Sequence, residues 1–266
     1  FGAPALGGAG CGLATAIVYW SMFVGMLIYC LTTKRLKHAS LLGKIYWPNL
    51  NAIKAILGLG VPIALSLLFE VSLFSVVAIL LAPFGSETVA SHQIAINFSG
   101  LVFMVPLSIA MAVTIKVGFA VGNKDLIAAK ALCKHSVILG LLIAVVTALL
   151  SLTFREQIAS IYSTDLKVVT LAASLMFLAA LFQFSDAIQV ISAGALRGYQ
   201  DTMVVMAITF CAYWLFGVGL GYYFTFVASE PLGAKGFWLG IIIGLSIAAI
   251  MLSYRLYKVS RKTIEA

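Results

Sequence analysis

The sequence predicts an all-α, polytopic membrane protein with about seven transmembrane helices. Three observations carry that prediction. The 266 residues are 62% hydrophobic and 10% charged, whereas soluble domains carry roughly a quarter of charged residues. The apolar residues fall in runs long enough to cross a hydrocarbon core, which takes roughly 20 residues of helix. The basic residues collect in the short segments between those runs, where such residues set orientation in a bilayer. A net charge of +8 arranged in this way does not point to nucleic acid.

The first run, 10–31, lies close to Phe1, with no start methionine and no basic stretch ahead of it. It therefore does not read as a signal peptide. Segment 32–54 is the longest connection. Tyr46, Trp47 and Pro48 near its end suit a membrane interface or a plain linker equally. The second run, 55–81, reads AILGLGVPIALSLLFEVSLFSVVAILL, with a single carboxylate, Glu70, near its middle. Five more runs follow at 88–115, 132–153, 168–195, 203–227 and 236–254. Pro62 and Pro106 fall inside the second and third, where each marks a hinge or a packing feature.

Orientation follows from the lysines and arginines. Lys34, Arg35, Lys37, Lys44 and Lys54 lie in the first connection, and Lys116, Lys124, Lys130 and Lys134 in the third. Arg197 lies between the fifth and sixth runs, and Arg255, Lys258, Arg261 and Lys262 in the tail. The intervening connections hold only Arg155, Lys167 and Lys235. The basic set faces the cytoplasm, which puts the first residue outside and the C-terminus inside. An outside start without a signal peptide fits an odd number of spans encoded upstream. No internal repeat is visible at the level of sequence. Cys11, Cys30, Cys133 and Cys211 lie in or at the ends of apolar runs and read as ordinary buried thiols, with no metal spacing.

Only two acids fall inside apolar runs, Glu70 and Asp186. An ionisable group at that depth costs about 2.5–3.5 kcal/mol on insertion scales and so marks a functional site by default. No lysine or arginine lies inside the runs to neutralise them, so they are protonated, hydrated or bound to a cation. In the fifth run Gln183, Asp186 and Gln189 recur at intervals of three and form one polar stripe. Ser66 and Phe74 share the face of Glu70. Gln93, Asn97, Gly100 and Met104 share a face of the third run, with His92 adjacent as a solvated residue or a proton relay. Glutamines and asparagines here also have a purely structural reading, since such groups hold membrane helices together. Counted from the cytoplasmic ends, Glu70 lies about 23 Å deep and Asp186 about 15 Å, at about 1.5 Å per residue. The two share one cation or act separately.

Three stretches, GVPIALSLLFEVSLFSVVAILLAPFG, VASHQIAINFSGLVFMVPLSIAMAVTIKVG and LFQFSDAIQVISAGALRGYQDT, resemble the multidrug and toxic compound extrusion (MATE) transporters, NorM-like branch. The resemblance covers essentially the whole chain. It implies a twelve-span protein of two six-helix lobes, of which this chain is similar to the sixth span and the C-terminal lobe. On that reading residues 1–31 are the last helix of an N-terminal lobe, 32–54 a cytoplasmic connection, 55–257 the C-terminal lobe and 258–266 a cytoplasmic tail. The implied activity is export of cationic or amphipathic drugs and dyes from a bacterial cytoplasmic (inner) membrane, in exchange for Na+ or H+. The implied partners are those small molecules, membrane lipid and the N-terminal lobe. The resemblance places the coupling cation at Glu70 and Asp186, with Gln93, Asn97, Gln183 and Gln189 as polar support. It places Phe74, Phe103 and Gln189 on the drug cavity wall. It implies no catalytic residue, no cofactor and no metal beyond Na+ at the two acids.

Other classes fit less well. A retinal-type heptahelical protein needs a lysine inside the last span, and Lys235 is at its edge. An intramembrane aspartyl protease needs glycine-bracketed aspartates, and the acids here sit in LLFEVSL and FSDAIQV. The runner-up is a relative of the MATE transporters that flips or exports lipid-linked sugars. It needs basic residues facing a cavity to hold phosphates, and the runs contain none, although the N-terminal lobe could supply them.

Overall fold

A computed structural model describes residues 7–33, 47–228, 230 and 232–265. Lys34, Arg35, Lys37, Lys44 and Tyr46 of the first connection lie outside the described residues. Helix α1, Gly7–Thr32, belongs to one compact unit, Phe1–Ile53, and the later helices, from Lys54 near the start of the second one, to another, Lys54–Ala266. Among the described residues, seven helices are long and apolar enough to cross a membrane. They lie where the sequence predicts, and most extend further at one or both ends. The third reaches Gly122, so Lys116 is helical rather than in a loop. The fifth reaches Gly198, which brings Arg197 into its last turn.

The second unit is built around one helix. After α2 (Leu50–Leu80) and a short 3₁₀ turn come α3 (Ser86–Gly122) and α4 (Leu126–Thr153). An amphipathic helix that the sequence reading did not anticipate, α5 (Arg155–Tyr162), precedes α6 (Leu166–Gly198). Helices α7 (Thr202–Val227) and α8 (Ala234–Glu265) complete the unit. Helix α6 is buried along most of its length and packs against α3, α4, α7 and α8. Burial on nearly every side makes its polar residues interior groups rather than lipid-facing ones.

Small residues allow these close crossings, as in membrane helices generally. A Cβ on Gly194 would meet the Ala110 carbonyl oxygen of α3 at 2.6 Å, and one on Gly198 would meet that of Thr114 at 2.9 Å. Thr114 Oγ1 donates to the Gly194 carbonyl at 2.7 Å, which bonds the two helices across the crossing. Gly236, Gly240 and Gly244, spaced by four, do the same for α8 against α7 by allowing close approach. Helix α7 is wide-wound over Cys211–Val218 and Tyr223–Val227, with π-type turns. Such turns recur at functional sites.

The turns that follow α3 and α6 share a design. Gly118-Phe-Ala-Val-Gly122-Asn-Lys-Asp125 ends α3, and Gly194-Ala-Leu-Arg-Gly198-Tyr-Gln-Asp201 ends α6. In each, the residue before the aspartate has positive φ, Lys124 at 61° and Gln200 at 63°. In each, the aspartate N–H donates to a carbonyl five residues back, Ala120 or Leu196. This is a short structural repeat that the sequence reading missed, because only the two glycines and the aspartate recur. Asp125 then caps α4, accepting from the Ala128 N–H at 3.0 Å. Asp201 instead accepts from Arg255 Nε at 2.6 Å and ties this end to α8.

The cysteines are all free, but only Cys133 is buried; Cys11 is exposed, and Cys30 and Cys211 are half-buried. Their apolar surroundings in sequence did not distinguish lipid-facing from interior positions.

Candidate functional site

Glu70 and Asp186 meet, although they lie on α2 and α6. Both line an open cavity of about 400 Å³ between α2, α3 and α6, with walls that include Phe74, Phe103 and Leu107. Asp186 is 7% exposed. Gln189 joins the acids: its Nε2 donates to Asp186 Oδ1 at 3.1 Å and to Glu70 Oε1 at the long distance of 3.5 Å. The fully buried Tyr213 hydroxyl donates to Gln189 Oε1 at 2.8 Å. That bond fixes the amide, because with its oxygen held by Tyr213 the NH₂ must face the carboxylates. Tyr213 belongs to the first wide-wound stretch of α7.

One base joins the two acids in the cavity wall. Arg197, in the last turn of α6, lines the same space. This corrects the reading that nothing basic lies within the spans. The fifth span is longer than its apolar run, and a long side chain near a helix end reaches well beyond its own Cα.

A family model described as MatE matches residues 62–223, more than half of the chain. The chain belongs to the MatE family. It is 51% identical over 258 residues to the multidrug resistance protein NorM of Photobacterium profundum, covering 96% of this chain and 57% of that protein. It is 49% identical over 258 residues to the multidrug resistance protein MdtK of Yersinia pestis, with coverage of 96% and 56%. The chain thus spans a little over half the length of these relatives. Among solved structures, the eukaryotic MATE transporter AtDTX14 superposes with a TM-score of 0.87 at 19% identity, over 98% of this chain and 59% of that one. That likeness speaks for the fold. The protein is a multi-pass membrane protein with the helical MATE architecture.

The MatE fold distributes the predicted site residues unevenly. Glu70, Asp186, Gln189, Phe74 and Phe103 all line the one cavity. Gln183 is buried but turns to α4, donating to Ser151 Oγ at 3.0 Å. Gln93 and Asn97 are exposed, bond to each other at 3.4 Å and lie outside the cavity wall. The face of α3 turned to the cavity instead carries Ile96, Ser99, Gly100, Phe103 and Leu107. His92 is not solvated and lies outside the cavity wall: it is 1% exposed and sits edge-on to Trp238 at 5.7 Å. Tyr213 and Arg197 are the site residues that sequence reasoning missed. The three-residue spacing to Gln189 marks the helix face, but only packing shows that α7 supplies its partner.

Among the described residues, no three His, Cys, Asp or Glu side chains come together in a metal-binding group. Two carboxylates, an amide and aromatic walls suit a hard monovalent cation or a proton better than a transition metal.

Proposed function

We propose that this chain carries the cation-coupling half of a secondary multidrug exporter. Residues 55–257 act as one lobe that works against a second lobe, and the space between lobes takes cationic or amphipathic drugs. The observation that carries this reading is the Glu70–Gln189–Asp186 bridge in an apolar cavity. The relatives named for multidrug resistance support it. A cation, Na+ or H+, enters from outside down its gradient and neutralises the acids. Neutralisation releases the Gln189 amide from charged acceptors and changes how α2, α6 and α7 pack. The affinity for a positively charged drug falls, and the drug leaves outward. Each 100 mV of potential adds about 2.3 kcal/mol per charge moved inward.

The test is ethidium efflux from energised, drug-sensitive bacteria expressing the complete reading frame that carries this chain, with and without sodium. Sodium-stimulated efflux that Glu70→Gln abolishes supports a sodium-coupled exporter. Efflux indifferent to sodium but stopped by a protonophore moves the coupling ion to the proton. Absent efflux with protein in the membrane sinks the proposal.

Arg197 is the one observation that favours a second reading, the flippase for lipid-linked sugars, because that activity calls for a base in the cavity. A single arginine against two acids leaves the site negative, however, and a diphosphate would be repelled.

A further inference from the structure

The cavity holds a charge that the acids and their amide bridge leave unexplained. Arg197 lines it, and its Nε is buried without a hydrogen-bond partner. Neither the Lys167–Glu87 pair nor the Arg255–Asp201 pair involves it. The nearest acid in sequence, Asp201, is held by Arg255. A guanidinium is always charged. Set among apolar side chains, it is stable only where an opposite charge lies within reach of its field, and the acids of the same cavity are Glu70 and Asp186.

We infer that Arg197 is the resident counter-charge of this site and sets its valence. Two carboxylates and one guanidinium leave a net charge of −1, so one monovalent cation completes neutrality and a divalent cation overshoots it. The inference rests on the reading of Glu70 and Asp186 as a cation site. Two bare carboxylates at this depth would hold a cation tightly and would accept a divalent ion. With Arg197 in the same cavity wall, departure of the cation leaves a single unbalanced charge. The site can then empty in each cycle.

The experiment uses the complete reading frame, purified in detergent at pH 8. The melting temperature is followed against calcium chloride and against choline chloride of equal ionic strength. Arg197→Gln should be stabilised by calcium at a half-saturating concentration at least about ten-fold below that of the wild type. Arg197→Lys, which keeps the charge, should respond as the wild type does. Glu70→Gln/Arg197→Gln, which restores the net charge, should lose the gain. Equal calcium responses in Arg197→Gln and wild type overturn the inference, as does a gain that persists in the double variant or arises in Arg197→Lys. If Arg197→Gln does not accumulate folded, recovery of folded protein in the double variant supports the pairing, and failure of both overturns it. Ethidium efflux by the same proteins keeps the two readings apart. Coupled efflux with unaltered calcium selectivity sinks only this inference; altered selectivity without efflux sinks only the exporter.

Discussion

At the scale of single residues, the site depends on how one amide is held. Tyr213 decides which end of Gln189 faces the acids, so Tyr213→Phe frees that amide to turn. A lost hydrogen bond of about 0.5–1.5 kcal/mol corresponds to a rise of about 2- to 12-fold in the cation concentration that half-saturates efflux. Efflux measured over a range of sodium concentrations and pH checks this, and an unchanged midpoint would count against the amide as the bridge. Asp186→Asn should abolish coupled efflux as Glu70→Gln does, with normal insertion in the membrane. Gln93→Ala and Asn97→Ala should leave the cation dependence unaltered, because both side chains lie away from the cavity. Glu70 and Asp186 stood out in the sequence because acids are rare at such depth. Gln93 and Asn97 stood out for the same polar character, and sequence cannot say which face of α3 meets the cavity.

At the scale of elements, the site stands on helix crossings that only glycine permits. A side chain at Gly240 would press on the Gly217 carbonyl and the Gly221 backbone at 2.5 Å, and backbone cannot move aside as a flexible side chain can. Gly240→Val should therefore separate α8 from α7 at a cost of about 1–3 kcal/mol or more. Since α7 carries Tyr213, the same change should weaken the cation response. A lowered melting temperature in detergent, together with a raised half-saturating cation concentration, would confirm both effects. A variant as stable as the wild type would show that these helices tolerate a wider spacing. The small-residue spacing Gly236-Gly240-Gly244 was present in the sequence, but it names no partner helix until the chain is folded.

At the scale of the whole molecule, alternation of basic segments makes a prediction about sidedness. In a variant without its native cysteines, Lys124→Cys should react with a membrane-impermeant maleimide in inside-out vesicles and not in intact cells. Glu230→Cys should do the reverse. Reaction of both from the same side would overturn the topology and with it the direction of cation entry. In the predicted topology the two aspartate-closed turns at Asp125 and Asp201 share the cytoplasmic face, next to the end of the cavity that Arg197 occupies.

The sequence alone carries the membrane class, the seven spans and the two acids at depth, and it predicts the direction of the chain. These follow from hydropathy, charge and the cost of ionisable groups in hydrocarbon, all of which are local or additive along the chain. Only the tertiary structure decided that acids on α2 and α6 share one cavity, that Tyr213 orients the amide between them, and that Arg197 reaches the same space. Those facts depend on which helix faces meet and how closely, and that is set by distant small residues whose partners no periodicity in one helix can identify.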